Sequence, residues 1–195
     1  MKKESQVIFD KNVIEFVTVA AEFCAFLERA ESMKRSTFVD TTLKILPLLY
    51  LKASMLPKCE MIGDESPETY VTEEIYEVLR INLASILVEK DDYLEVFLPD
   101  MAYSDEPIKK NISEDLADIY QDIKDFIFVF QLGLNETMND SLAICQENFG
   151  LLWGQKLVNT MRALHDVKYS PKARGEDEEE EEYEPENNED CHCED

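Results

Sequence analysis

Asp115, Asp118, Asp122 and Asp125 recur at spacings of 3, 4 and 3, which on an α-helix sets four carboxylates along one edge. The apolar residues of the same stretch, Leu116, Ile119, Ile123, Phe126, Ile127 and Phe130, centre roughly a quarter to a third of a turn away. The acidic edge therefore runs beside the core, not opposite to it. Acceptors alone leave three roles open: holding a cation or a partner's basic side chains, forming half of a polar seam between helices, or standing solvated. A second polar line, Asn148, Gln155, Asn159, Arg162 and Asp166, follows on a segment that is otherwise apolar on most sides. It is either an exposed seam or the counterpart of the acidic edge. Buried polar groups left unpaired cost about 1–3 kcal/mol each, and Arg162 is the side chain best suited to pair with a carboxylate. His165 lies near the end of that segment, where the helix dipole favours a cation. Nothing else in the chain supplies a nucleophile or substrate group for it, so its plain role is structural. A small-ligand or enzymatic site would have to gather Asp118, Asp122, Arg162 and His165 between the fourth and fifth helices.

Two further groupings carry chemistry of their own. Gly150 and Gly154 form a GxxxG pair inside a helix, where each costs about 1 kcal/mol against alanine. In a chain without a membrane span the pair implies close approach of a neighbour, expected to be an aromatic ring. Cys191, His192 and Cys193 bring thiolates and an imidazole together among carboxylates. Structural zinc sites take four ligands, with two or more residues between paired cysteines. Three adjacent side chains cannot close that tetrahedron, so opportunistic metal binding is the most they offer. A di-iron carboxylate bundle needs Glu-x-x-His on two helices, which a chain with only His165 and His192 does not supply. No Walker loop, GxGxxG, HExxH or nucleophile elbow occurs, and no cofactor is expected.

The elements that must carry these residues are helices. Only five glycines occur, at 63, 133, 150, 154 and 175, too few for repeated tight hairpins. Helical spacing of apolar residues runs through 7–31, then through a second helix capped at Ser36 or Thr37 and ending near Cys59, with Pro47 expected to kink or split it. A third helix opens at Thr72 with Glu73 and Glu74 in its first turn. A short segment at 93–98 and a loop over 100–112 follow. The fourth helix is capped by Ser113 and closed by Gly133; the fifth runs from about Asn135 to His165. Short connections favour a single up-and-down, all-α bundle of about five main helices over residues 1–169. Residues 170–195 form an acidic tail expected to be disordered, because Pro171 breaks the helix and Glu176–Glu182 is an unbroken acidic run with nothing to bury.

Charge then bounds the partners. The net charge is −24, and residues 171–195, with 13 acidic and 2 basic residues, carry −11 of it, leaving −13 for the remainder. Such a chain repels phosphate backbones, which argues against direct nucleic-acid binding and against docking on anionic membranes. No apolar run is long enough to span a bilayer, and the start of the chain lacks the apolar core of a signal peptide. A cytoplasmic location with reduced cysteines is expected, with Cys24, Cys59 and Cys145 acting as small core residues.

The segments Glu114–Phe126 and Phe149–His165 resemble a bacterial family known as domain of unknown function 5063. The resemblance implies a helical domain with no assigned activity, and it lifts Asp118, Asp122, Trp153, Arg162 and His165 above the other polar residues as binding candidates. Taken with the charge, the expected function is a non-enzymatic interaction module for a basic protein partner, or a nucleic-acid mimic toward such a protein. The alternative is a ligand binder or enzyme with a polar pocket between helices four and five.

Overall fold

A computed structural model describes residues 6–95 and 108–170. After a 3-10 turn at Val7–Phe9, α1 (Lys11–Glu28) starts where the Asp10 side chain accepts the Asn12 N–H at 2.8 Å. α2 (Arg35–Ser54) follows another short 3-10 turn, Ala30–Ser32. Pro47 does not split α2. An interior proline costs about 3 kcal/mol, but Phe38, Val39, Leu46, Leu49 and Ala53 on either side of it are buried in one core. Burying side chains of this kind brings about 1.5–3 kcal/mol each for the larger ones, which outweighs the lost bond.

α3 (Glu73–Leu87) is capped as expected: the Thr72 side chain accepts the Ile75 N–H at 3.3 Å. α4 (Ile112–Gln131) is not capped by Ser113, which already lies inside the helix. Asp91 does that work from a distance in sequence. Its backbone oxygen accepts the Ile112 N–H at 2.8 Å, and its carboxylate accepts the Ser113 N–H and the Ser113 hydroxyl, both at 2.7 Å. The intervening chain forms a two-stranded antiparallel ribbon, β1 (Asp92–Leu94) with β2 (Lys109–Asn111), Tyr93 opposite Lys110. Part of the expected loop over 100–112 is thus a strand.

The expected fifth helix is present as one rod in three parts: α5 (Asn135–Asn148), a π-helical turn (Phe149–Trp153) and α6 (Gly154–Tyr169). Helical dihedrals persist across both joints, so the rod is continuous. α4 packs antiparallel along it, and α1, α2 and α3 complete an all-α bundle. At the centre, Trp153 is fully buried between Phe16 and Phe149, and its indole N–H donates to the Cys145 carbonyl at 3.1 Å. Cys24 and Cys145 are buried free thiols and Cys59 is a half-buried one. Among the described residues no helix is long and apolar enough to cross a membrane. The acidic tail with Cys191, His192 and Cys193 lies outside the described residues, as does most of the segment joining the two strands.

Candidate functional site

The acidic edge of α4 is the polar seam of the bundle. Each of its carboxylates holds a different neighbour. Asp115 is buried and accepts the Tyr93 hydroxyl of β1. Asp118 accepts the Tyr76 hydroxyl of α3 at 2.8 Å and pairs with Lys156 of α6. Asp122 accepts the Asn148 amide of α5 at 2.6 Å. Asp125 accepts the backbone N–H groups of Tyr70 and Val71 at 2.7 and 2.8 Å. Burial pushes the Asp115 carboxyl up to about 6, against the opposing pull of the Tyr93 hydrogen bond. Asp122 and Asp125 are raised for the same reason.

Of the residues singled out from the sequence, Asp118 and Asp122 therefore face the interior seam, and Trp153 is core. Arg162 and His165 are exposed on α6. They border a groove with Leu43, Val158, Met161 and Tyr169, and none of the other three candidates reaches it. The cation that meets the acidic edge is Lys156, not Arg162. Of the second polar line, Asn148 meets the acidic edge at Asp122, Gln155 donates to Asn159 at 3.0 Å, Asn159 donates to Glu95 at 3.0 Å, and Arg162 and Asp166 are exposed. The five residues do not converge on one pocket.

A more coherent surface arises from the long connection between α2 and α3, whose polar anchors carried no signal in the sequence. Asp140 of α5, buried, accepts the N–H groups of Ile62 and Gly63 at 2.7 and 2.8 Å. A Cβ on Gly63 would stand 2.6 Å from the Asp140 carboxylate, so a side chain there would have to displace that carboxylate from its two N–H donors. Asn139 donates to the Glu60 carbonyl at 2.8 Å, and Gln146 accepts the Cys59 N–H at 3.0 Å while donating to the Pro57 carbonyl at 3.1 Å. Asp125 pins the other end, where the Tyr70 ring also stacks on Phe128 at 4.6 Å. The connection is thus fixed over α4 and α5 by side chains that were free to do something else only if it were absent.

What it displays is charge. The connection, residues 55–72, carries Glu60, Asp64, Glu65 and Glu68 against the one cation Lys58, and Glu73, Glu74 and Glu77 of α3 follow. Asp64, Glu65 and Glu68 of this stretch and Glu136 of α5 are exposed around a cleft of about 500 Å³ that Phe128, Val129 and Leu132 also line. A second cavity, about 290 Å³, shares Ser66, Pro67, Glu68 and Val129 with the first and lies between α4 and α5 beside Asp122, Asp125, Cys145 and Asn148. Among the described residues no lysine or arginine borders either cavity. Among the described residues no three His, Cys, Asp or Glu side chains gather closely enough to hold a metal ion.

The sequence model of a family described as "Domain of unknown function (DUF5063)" matches residues 7–170. Among solved structures, the crystal structure of protein BF1032 from Bacteroides fragilis is 92% identical, covering 87% of this chain and 99% of that one, with a TM-score of 0.79. No curated protein matches the chain. Neither similarity brings an activity, a ligand or a partner with it.

Proposed function

The chain belongs to the DUF5063 domain family, and we propose that it is a non-enzymatic interaction module whose acidic cleft docks a lysine- or arginine-rich segment of a protein partner. One observation carries this: the connection that bears Glu60, Asp64, Glu65 and Glu68 is hydrogen-bonded to α4 and α5 at both ends, by Asn139, Asp140 and Gln146 at 59–63 and by Asp125 at 70–71. A pre-fixed ridge avoids much of the ordering cost that a free loop would pay on binding. Its charge speeds encounter and discriminates against acidic partners. The apolar side chains of Phe128, Val129 and Leu132 that line the cleft give the aliphatic stems of lysine and arginine a surface to cover.

The test is the full chain titrated with a fluorescent lysine/arginine-rich peptide. Binding is expected to weaken at least tenfold in the triple variant Glu65→Lys, Glu68→Lys, Glu136→Lys, and to fall as salt rises from about 0.05 to 0.5 M. Equal affinity of the variant, or binding indifferent to salt, overturns the proposal. The alternative, a small-ligand site between the fourth and fifth helices, draws on the 290 Å³ cavity with its two half-buried carboxylates. There a diamine would give calorimetric heat with the wild-type chain and none with Asp122→Asn.

A further inference from the structure

The cavity of about 290 Å³ between α4 and α5 is set apart by what its carboxylates lack. Asp122 and Asp125, both half-buried, stand three residues apart on α4 and line it together. That spacing makes them neighbours on the helix surface. Asp122 accepts the Asn148 amide through Oδ1, and Asp125 accepts the Tyr70 and Val71 N–H groups, also through Oδ1. Among the described residues no donor reaches the Oδ2 atom of either. Burial raises both carboxyls, and Asp125 and Asp118 push Asp122 the same way while Lys156 pulls against them. Lys156 is itself paired with Asp118. Glu68 adds a third, exposed carboxylate to the lining, and Phe126, Val129 and Ile144 make apolar wall. Among the described residues no cation lines the cavity. Two half-desolvated acceptors beside an apolar wall match a donor that is charged, flat and weakly hydrated.

We propose that this cavity takes one arginine side chain of the basic segment docked in the acidic cleft, its guanidinium bridging Asp122 and Asp125. This role rests on the reading of the cleft as a dock for such a segment, and adds to it the residue type that fixes the segment's register. Cleft and cavity share Ser66, Pro67, Glu68 and Val129, so a segment in the one lies directly beside the other. Guanidinium holds five N–H donors in a planar fork and can meet two carboxylates at once. Ammonium is a compact, strongly hydrated point charge and gives up more on leaving water. The aliphatic stem of the arginine covers Phe126, Val129 and Ile144. A volume of about 290 Å³ lies at the low end for ligand cavities, which suits one side chain. Asn148 occupies Oδ1 of Asp122 and leaves Oδ2 to the guest. The cleft thus supplies charge and encounter, and the cavity supplies the choice of arginine over lysine.

The full chain is titrated with a fluorescent all-lysine peptide and with versions carrying one arginine at each position in turn. At one position arginine is expected to bind about tenfold tighter than lysine, as a charge-assisted, two-carboxylate contact would give. Citrulline at that position, equal in shape but uncharged, should cancel the gain. Asp122→Asn, which keeps an acceptor for Asn148, should cancel it too, while the all-lysine peptide still binds within about twofold of its wild-type affinity. A series with no favoured position overturns the proposal, as does a preference that survives citrulline or Asp122→Asn. Failure of the cleft reads differently: the all-lysine peptide would then lose nothing in the Glu65→Lys, Glu68→Lys, Glu136→Lys variant. Absence of binding by every peptide overturns both.

Discussion

Asp115 shows how little a residue's type says about its state. On the helix edge it is one of four aspartates, yet it alone is buried, under Tyr93 of the ribbon. Removing a carboxylate from water disfavours its charged form, which is why its proton is held up to about 6. The folded protein then binds that proton more tightly than the unfolded chain, where an aspartate titrates near 3.9. Protonated Asp115 therefore stabilises the fold below about pH 4, and that contribution is lost as pH rises through about 6. Two pKa units correspond to about 3 kcal/mol. Asp115→Asn, which keeps an acceptor for Tyr93 and never ionises, is expected to gain about 1–3 kcal/mol at pH 7.5. It should also flatten the stability change between pH 4 and 6.5. Urea unfolding across that range measures both, and a variant that is less stable at pH 7.5 with an unaltered slope would show that the charge is well compensated. The sequence could not separate Asp115 from its neighbours, because an edge position reads the same whether it meets water or a tyrosine brought in by a distant strand. Asn139, Asp140 and Gln146 were invisible for a related reason. Their partners are backbone N–H and C=O groups of a connection some 77 to 90 residues away, and backbone groups leave no mark in a sequence.

At the scale of elements, the 3.6-residue rhythm made all five rods legible, since burial on one face is what selects that rhythm. Starts and joints were less so. The α4 cap comes from Asp91, so the local Ser113 misled, and the size of that long-range cap can be measured. Asp91→Ala leaves two buried Ser113 donors unpaired and is expected to cost about 2–3 kcal/mol. Asp91→Asn, which can still accept, should recover most of the loss; equal loss in both would point to charge, not capping. The glycine pair in the last rod holds a finer distinction. Gly154 donates its N–H to the Phe149 carbonyl across the π-turn, and an added Cβ would sit 2.3 Å from that oxygen and 3.0 Å from the Phe149 ring. Gly150 has nothing within 4 Å of such a Cβ. The close neighbour anticipated for the pair is real at one position only, and it belongs to the same helix. Alanine ordinarily gains up to about 1 kcal/mol over glycine in a helix. Gly150→Ala should show that gain in thermal unfolding, whereas Gly154→Ala should lose about 1–3 kcal/mol through overpacking against backbone that cannot move aside. A stabilised Gly154→Ala would mean that the π-turn relaxes to an ordinary α-turn at no cost.

At the scale of the whole molecule two electrostatic effects compete, and salt decides between them. Ion pairs tie the rods together: Lys52 to Glu15 between α2 and α1, Lys124 to Glu28 between α4 and α1, Lys156 to Asp118 between α6 and α4, and Lys168 to Asp40 between α6 and α2. Each exposed pair contributes about 0–1 kcal/mol and weakens as salt rises. Opposing them is self-repulsion in a chain of net charge −24, which acts over many pairs at long range and is therefore the term that screening removes most completely. The lysines of the first two pairs are only 21% and 22% exposed, so their bonds are shielded from salt better than the repulsion is. Stability should accordingly rise between about 0.02 and 0.5 M NaCl. A gain of about 1 kcal/mol would appear as roughly 2–4 °C in Tm for a chain of this size. Choline chloride should act as well as NaCl, because screening does not depend on the identity of the cation; a benefit confined to sodium would mean a bound ion instead. A falling Tm in both salts would show that the inter-helix pairs outweigh the repulsion. The acidity of the surface would then be tolerated without cost by the fold, not held against it.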